Sequence, residues 1–184
     1  MSTSWRIPKS VIAALLGCAL VPTIALAGET GGVGTTPTTP GTGTGTDTGS
    51  SEDAIFPLRG KHTYGDGIGA GRGHQGQDIL SKCGKPVVAA EPGRVRFVKY
   101  QSAAGNYVVV KGPGRDEVYM HLAQPSKLSP GDRVDAGDLI GRVGQTGRAT
   151  ACHLHFEMWS KPGWYRGGSV MDPTPYLKQW DKTS

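Results

Sequence analysis

Two histidine motifs stand out because their residue types and spacing suit metal chemistry. His74-Gln75-Gly76-Gln77-Asp78 sets an imidazole and a carboxylate four positions apart, and His153-Leu154-His155 sets two imidazoles two apart inside an apolar run. On a strand, residues two apart share a face, so His153 and His155 point one way while Leu154 faces the core. Fully extended, His74 and Asp78 would lie about 13 Å apart, too far to share one ion. A bend is required, and Gly73 and Gly76 permit one. Two imidazole nitrogens and one carboxylate oxygen are a usual ligand set for catalytic zinc, which keeps a position open for water. Each motif alone is weak, since an H-x-H pair is as often two half-buried surface histidines. His121, in Tyr119-Met120-His121-Leu122, reads by itself as an edge-strand histidine, and His62 as structural or solvated.

The elements that must position these groups read as β-strands. Val87–Ala90, Arg94–Tyr100, Tyr107–Lys111, Glu117–Leu122 and Leu154–Trp159 are short runs rich in Val, Tyr and Phe. Glu91-Pro92-Gly93, Gly112-Pro113-Gly114 and Ser129-Pro130-Gly131-Asp132 punctuate them. Turn signals at spacings near ten residues predict an all-β sandwich or barrel. Pro125 to Leu128 reads as a helical turn, and no amphipathic helix longer than about ten residues is evident. The chain holds 29 glycines in 184 residues. That excludes a bundle of long helices, because each interior glycine costs about 1 kcal/mol, and the absence of a Gly-X-Y period excludes collagen.

The chain divides into three parts. Residues 1–27 resemble a secretory signal, with Arg6 and Lys9 before an apolar run and Ala25-Leu26-Ala27 as a cleavage site. The alternatives are a membrane anchor, disfavoured by Pro22 and the short apolar length, and a lipobox ending at Cys18. Residues 28–53 hold 8 Gly and 9 Thr and read as a flexible linker. Residues 54–184 carry 18 Lys and Arg against 11 Asp and Glu, a balance of +7. A basic secreted domain suits an anionic partner, the bland alternative being solubility. Cys83 and Cys152 are the two cysteines left after signal removal, a pair that favours a disulfide over metal binding by Cys152.

The order H-x-G-x-D, Y-x-H-L and H-L-H-F-E resembles the lysostaphin/LytM-type zinc metallopeptidases, peptidoglycan endopeptidases. The likeness covers about residues 55–180. Gly84–Ala90 with Gly93-Arg94-Val95 looks like the family's first core hairpin, and Gly105–Val110 like its next strand pair. Gly131–Val134, Gly137–Gly141 and Gly144–Gly147 look like its glycine-rich approach to H-x-H, and Asp172–Leu177 like its common end. The resemblance implies a compact antiparallel β-sheet core of the duplicated-hybrid-motif type. It implies one Zn2+ per domain held by His74, Asp78 and His155, and His121 and His153 as the catalytic pair at the open position. Tyr64 is a candidate for the family's substrate-contacting tyrosine.

The function so implied is secreted or wall-associated cleavage of crossbridge or stem peptides in bacterial peptidoglycan, by a monomer. The rival reading is a zinc-binding but catalytically silent wall module or amidase activator. Paired acid and base carboxylates for glycoside chemistry are absent from the motifs, since Asp78 would already be a ligand. The aromatics interleaved with basic residues that nucleic-acid binding would need are absent too.

Overall fold

The computed structural model describes residues 54–71 and 73–183. The signal reading of residues 1–27, the linker and Cys18 lie outside the described residues.

The elements are β1 (His62–Tyr64), β2 (Gln77–Ser81), β3 (Pro86–Val88), β4 (Gly93–Gln101), β5 (Gly105–Lys111) and β6 (Arg115–Leu122). After these come β7 (Arg133–Val134), β8 (Leu139–Arg142), β9 (His153–Ser160), β10 (Val170–Met171) and the helix α1 (Thr174–Trp180). The large sheet runs β1-β2-β9-β6-β5-β4-β7, with β10 also on β9, and β3 pairs with β8 in a small second sheet. All pairings are antiparallel. The fold is therefore antiparallel β as expected, but the sheet does not close into a barrel, since β1 and β7 remain separate edges.

Both faces of the central strands are covered. Val108 and Val110 of β5, Tyr119 of β6 and Leu154, Phe156 and Met158 of β9 enter one core, which Leu177 and Trp180 of α1 also join. The alternate residues Tyr107, Val109, Val118, Met120 and Trp159 form a second cluster on the other face, with Phe97 and Trp164 against it. This two-sided burial is why the strands read as nearly continuous apolar runs. His155 and Glu157 fall in the alternate phase of β9, on the face of the second cluster.

Two sequence expectations are corrected. Val87 and its neighbours do not form a hairpin with the strand that begins at Gly93: β3 pairs with β8, and β4 pairs with β5. Pro125–Leu128 is not helical; Pro125 and Pro130 withhold amide donors, and Ser126 Oγ donates to the Ile140 carbonyl instead. Glu117 is fully buried and accepts the Tyr119 hydroxyl at 2.6 Å. Burial first, then the charge of Glu91, pushes its carboxyl up to about 8, against the pull of Tyr119 and Arg115.

Candidate functional site

Register brings the two motifs together. β2 lies antiparallel to β9 with Asp78 opposite His155 and Leu80 opposite His153. The chain reaches β2 through a turn in which the His74 amide donates to the Ala70 carbonyl and Gly69 donates to the His74 carbonyl. Gly73 carries the bend, at φ +76. Gly76 serves differently: it lies against β9, where a Cβ would sit 2.9 Å from His155 Nε2 and 3.0 Å from Glu157 Cγ.

His121 enters from β6. The β5–β6 register shifts between Asn106 and Val108, so that Val108 faces Tyr119 and Asn106 faces Leu122. At this bulge His121 adopts a left-handed backbone, φ 62. Such a conformation costs a β-branched or large residue on the order of 1–3 kcal/mol and clusters at functional sites. Its ring lies 4.7 Å from that of His153 and 5.9 Å from that of His155, centroid to centroid.

The outer nitrogen of each imidazole meets an oxygen acceptor. His74 Nδ1 faces the Gly67 carbonyl at 2.9 Å, His121 Nδ1 the Thr146 carbonyl at 2.8 Å, and His153 Nδ1 the Ala151 carbonyl at 2.9 Å. His155 Nε2 faces Glu157 Oε1 at 3.1 Å. These outer nitrogens must carry the proton. The inner nitrogens then converge on Asp78 Oδ1: His155 Nδ1 at 2.8 Å, His74 Nε2 at 3.1 Å and His153 Nε2 at 3.5 Å. Neutral rings would turn lone pairs onto a carboxylate oxygen, an arrangement that a shared cation makes favourable. The donor atoms of His74, Asp78 and His155 all lie within 4.8 Å of one another, close enough to hold one metal ion.

In the ion-free cluster the carboxylates favour a charged His155, whose inner proton a bound metal ion would displace. Burial opposes the His155 charge, yet hydrogen bonds with Asp78 and Glu157 outweigh it and raise its pKa to about 9. Desolvation would raise the Asp78 carboxyl, but the His155 hydrogen bond and the nearby imidazoles hold it below its ordinary value. Burial pushes His121 down to about 4, further lowered by His153 and His155 and only partly opposed by Thr146. His121 is therefore neutral near pH 7 and able to accept a proton.

Several site residues were not singled out by the sequence. Glu157 is buried and accepts Trp159 Nε1 at 2.7 Å and Trp164 Nε1 at 3.0 Å, besides facing His155. Its signal was available: in β9 it follows His155 by two, hence on the same face. Tyr165 and Arg148 also border the cleft, Tyr165 donating to Gln75 Oε1 at 3.3 Å. Tyr64 packs elsewhere, against Phe56 and His62, and does not border the cleft. His62 stacks on Phe56 with centroids 4.3 Å apart. Cys83 and Cys152 form a disulfide, so neither thiol is available as a ligand.

This constellation coincides with a family match, for residues 72–173 match peptidase family M23. The chain belongs to that family. The glycyl-glycine endopeptidase ALE-1 of Staphylococcus capitis is 35% identical over 118 residues, 62% of this chain and 32% of that protein. The peptidoglycan DD-endopeptidase ShyC of Vibrio cholerae is 38% identical over 87 residues, 47% of this chain and 20% of that protein. The chain thus spans about a third or less of the length of these curated relatives. The catalytic domain of the antimicrobial peptidase lysostaphin from Staphylococcus simulans is similar in structure, with TM-score 0.58 and 31% identity over 64% of this chain and 92% of that one. So is a zinc-containing peptidase from Vibrio cholerae, with TM-score 0.55 and 28% identity over 64% of this chain and 39% of that one.

Proposed function

We propose that this M23 chain is a zinc metalloendopeptidase that hydrolyses peptide bonds in bacterial peptidoglycan. The observation that carries the reading is the convergence of His74, Asp78 and His155 within 4.8 Å, flanked by the rings of His121 and His153. The relatives add that one is named a peptidoglycan endopeptidase and another a zinc-containing peptidase.

His74 Nε2, Asp78 and His155 Nδ1 would hold the ion. Two imidazoles and one carboxylate suit zinc and leave it a net positive charge. Zinc supplies Lewis acidity, lowering the pKa of a water from 15.7 towards about 7 and polarising the scissile carbonyl. Glu157 accepts the outer proton of His155 and so fixes its tautomer and ring orientation. His121, neutral and held through Nδ1 by Thr146, turns Nε2 to the cleft, where it accepts the attacking water's proton. His153, held through Nδ1 by Ala151, has its ring centroid 4.7 Å from that of His121, and the pair passes the proton taken from water on to the leaving amine. Trp164 and Tyr165 border the cleft on one side, where they would flank a bound peptide.

The same reading takes residues 1–27 as an export signal and 28–53 as a flexible tether, which places a domain of residues 54–184 outside the membrane with its substrate. No described helix is long and apolar enough to cross a membrane. The test is release of new amino groups from purified peptidoglycan by zinc-loaded protein, with fragments identified by mass spectrometry. Release abolished by a chelator and restored by zinc is expected. Stoichiometric zinc without release from any wall type would overturn the reading in favour of a silent binding module.

A further inference from the structure

The far end of the large sheet carries a second feature that peptide hydrolysis does not use. Arg94 of β4 is directly opposite Lys111 of β5 on one side and Arg133 of β7 on the other. Directly opposed residues share a face, and all three are exposed. Three cations on three adjacent strands thus stand in one row, with steps of about 5 Å. Like charges directly opposite one another destabilise a sheet, so a row of three is not a neutral way to achieve solubility.

The acids nearby do not neutralise it. Asp116, opposite Lys111, is buried and occupied by Arg96 and the Trp164 amide. Glu91 is taken by Arg115. Asp135 is the one acid that borders the concavity formed by the row. A second concavity shares Lys111 and adds the exposed Lys161 and Arg166. Along β5, Lys111 is six residues from Gly105, which adjoins the His121 region, so the row lies about 20 Å from the histidine cluster.

We propose that this row is an exosite for a linear polymer of phosphodiesters. A single carboxylate offers coplanar oxygens that suit one guanidinium fork edge-on. A phosphodiester is tetrahedral, and its free oxygens diverge towards cations on neighbouring strands, so Arg94 can share one group with Lys111 and the next with Arg133. Lys161 and Arg166 continue the track for further repeats. The proposal is independent of the hydrolytic reading, because it concerns binding at a surface remote from the histidines.

The test uses the full chain and fluorescently labelled poly(glycerol phosphate), a linear phosphodiester polymer, titrated at several salt concentrations. The variant R94Q/K111Q/R133Q is compared with K127Q/K178Q/K182Q, which removes equal charge from exposed positions elsewhere. The row variant should bind at least tenfold more weakly, with the slope of log affinity against log salt reduced by about 2. The comparison variant should lose less than threefold. Cleavage of a soluble peptide substrate should be the same for both, which separates this site from the proposed active site. Equal losses in the two variants would overturn the proposal, leaving only net charge. So would equal affinity for poly-L-glutamate of matched charge, or binding to phosphatidylglycerol vesicles without binding to poly(glycerol phosphate).

Discussion

Gly76→Ala is the sharpest probe of how the fold holds the site. The backbone at Gly76 is not left-handed, so alanine meets no torsional penalty there. The cost comes from contact. An added methyl would sit 2.9 Å from His155 Nε2 and 3.0 Å from Glu157 Cγ, and closer still to the Phe156 carbonyl, where ordinary contacts are 3.4–4 Å. β2 must therefore retreat from β9 by about 0.5 Å or more, an overpacking worth about 1–3 kcal/mol. Asp78 follows two residues later and faces His155 at 2.8 Å, so the retreat opens the proposed ligand set. Such constellations must be held within about 0.5 Å. Zinc affinity should fall at least tenfold, measured by competition with a chelating dye, and Tm without zinc by about 5–10 °C. Gly131→Ala is the control: its φ is +99 with nothing within 4 Å of a Cβ, so it destabilises by strain alone and far from the cleft. It should lower Tm by a similar amount and leave zinc affinity unchanged. Zinc affinity within twofold of wild type in Gly76→Ala, or an equal loss in Gly131→Ala, would refute the reasoning.

Other predictions follow from the same contacts. His153→Ala should abolish peptidoglycan cleavage while zinc stays near one per chain by elemental analysis; loss of stoichiometric zinc would make His153 a ligand instead. Asp78→Asn should lose bound zinc, because the neutral amide cannot balance the cation between two imidazoles. Glu117 binds its proton more tightly folded, at about 8, than unfolded, at 4.5. Stability should therefore fall as pH rises from about 4.5 to 8, by at most about 1.4 kcal/mol per unit. Glu117→Gln should flatten that slope in urea titrations across pH. Cys83→Ser with Cys152→Ser opens a loop of sequence separation 69 and should cost about 4 kcal/mol in the chain-entropy model, read as a loss of Tm that reductant alone reproduces in the wild type.

The sequence by itself determined the chemistry and the class of the scaffold. Imidazoles and carboxylates with metal-ligand spacing are a matter of residue type, and glycine content with short Val- and Tyr-rich runs leaves β-structure as the affordable architecture. β4, β5, β6 and β9 were legible because each is seven residues or longer. β1, β7, β8 and β10, of two to four residues, were not, since so few positions show no period. The pairing of β3 with β8 depends on non-local contacts that no local pattern encodes. Tertiary structure alone decided the rest of the site. It set Asp78 opposite His155 by register, turned His121 inward through a bulge with φ 62, and buried Glu157 between His155 and two tryptophans. It also aligned Lys111, Arg94 and Arg133, which lie 17 and 39 residues from Arg94 in the chain but on neighbouring strands in the sheet. Register is a property of pairs of strands, and it is register that turns a list of residues into a site.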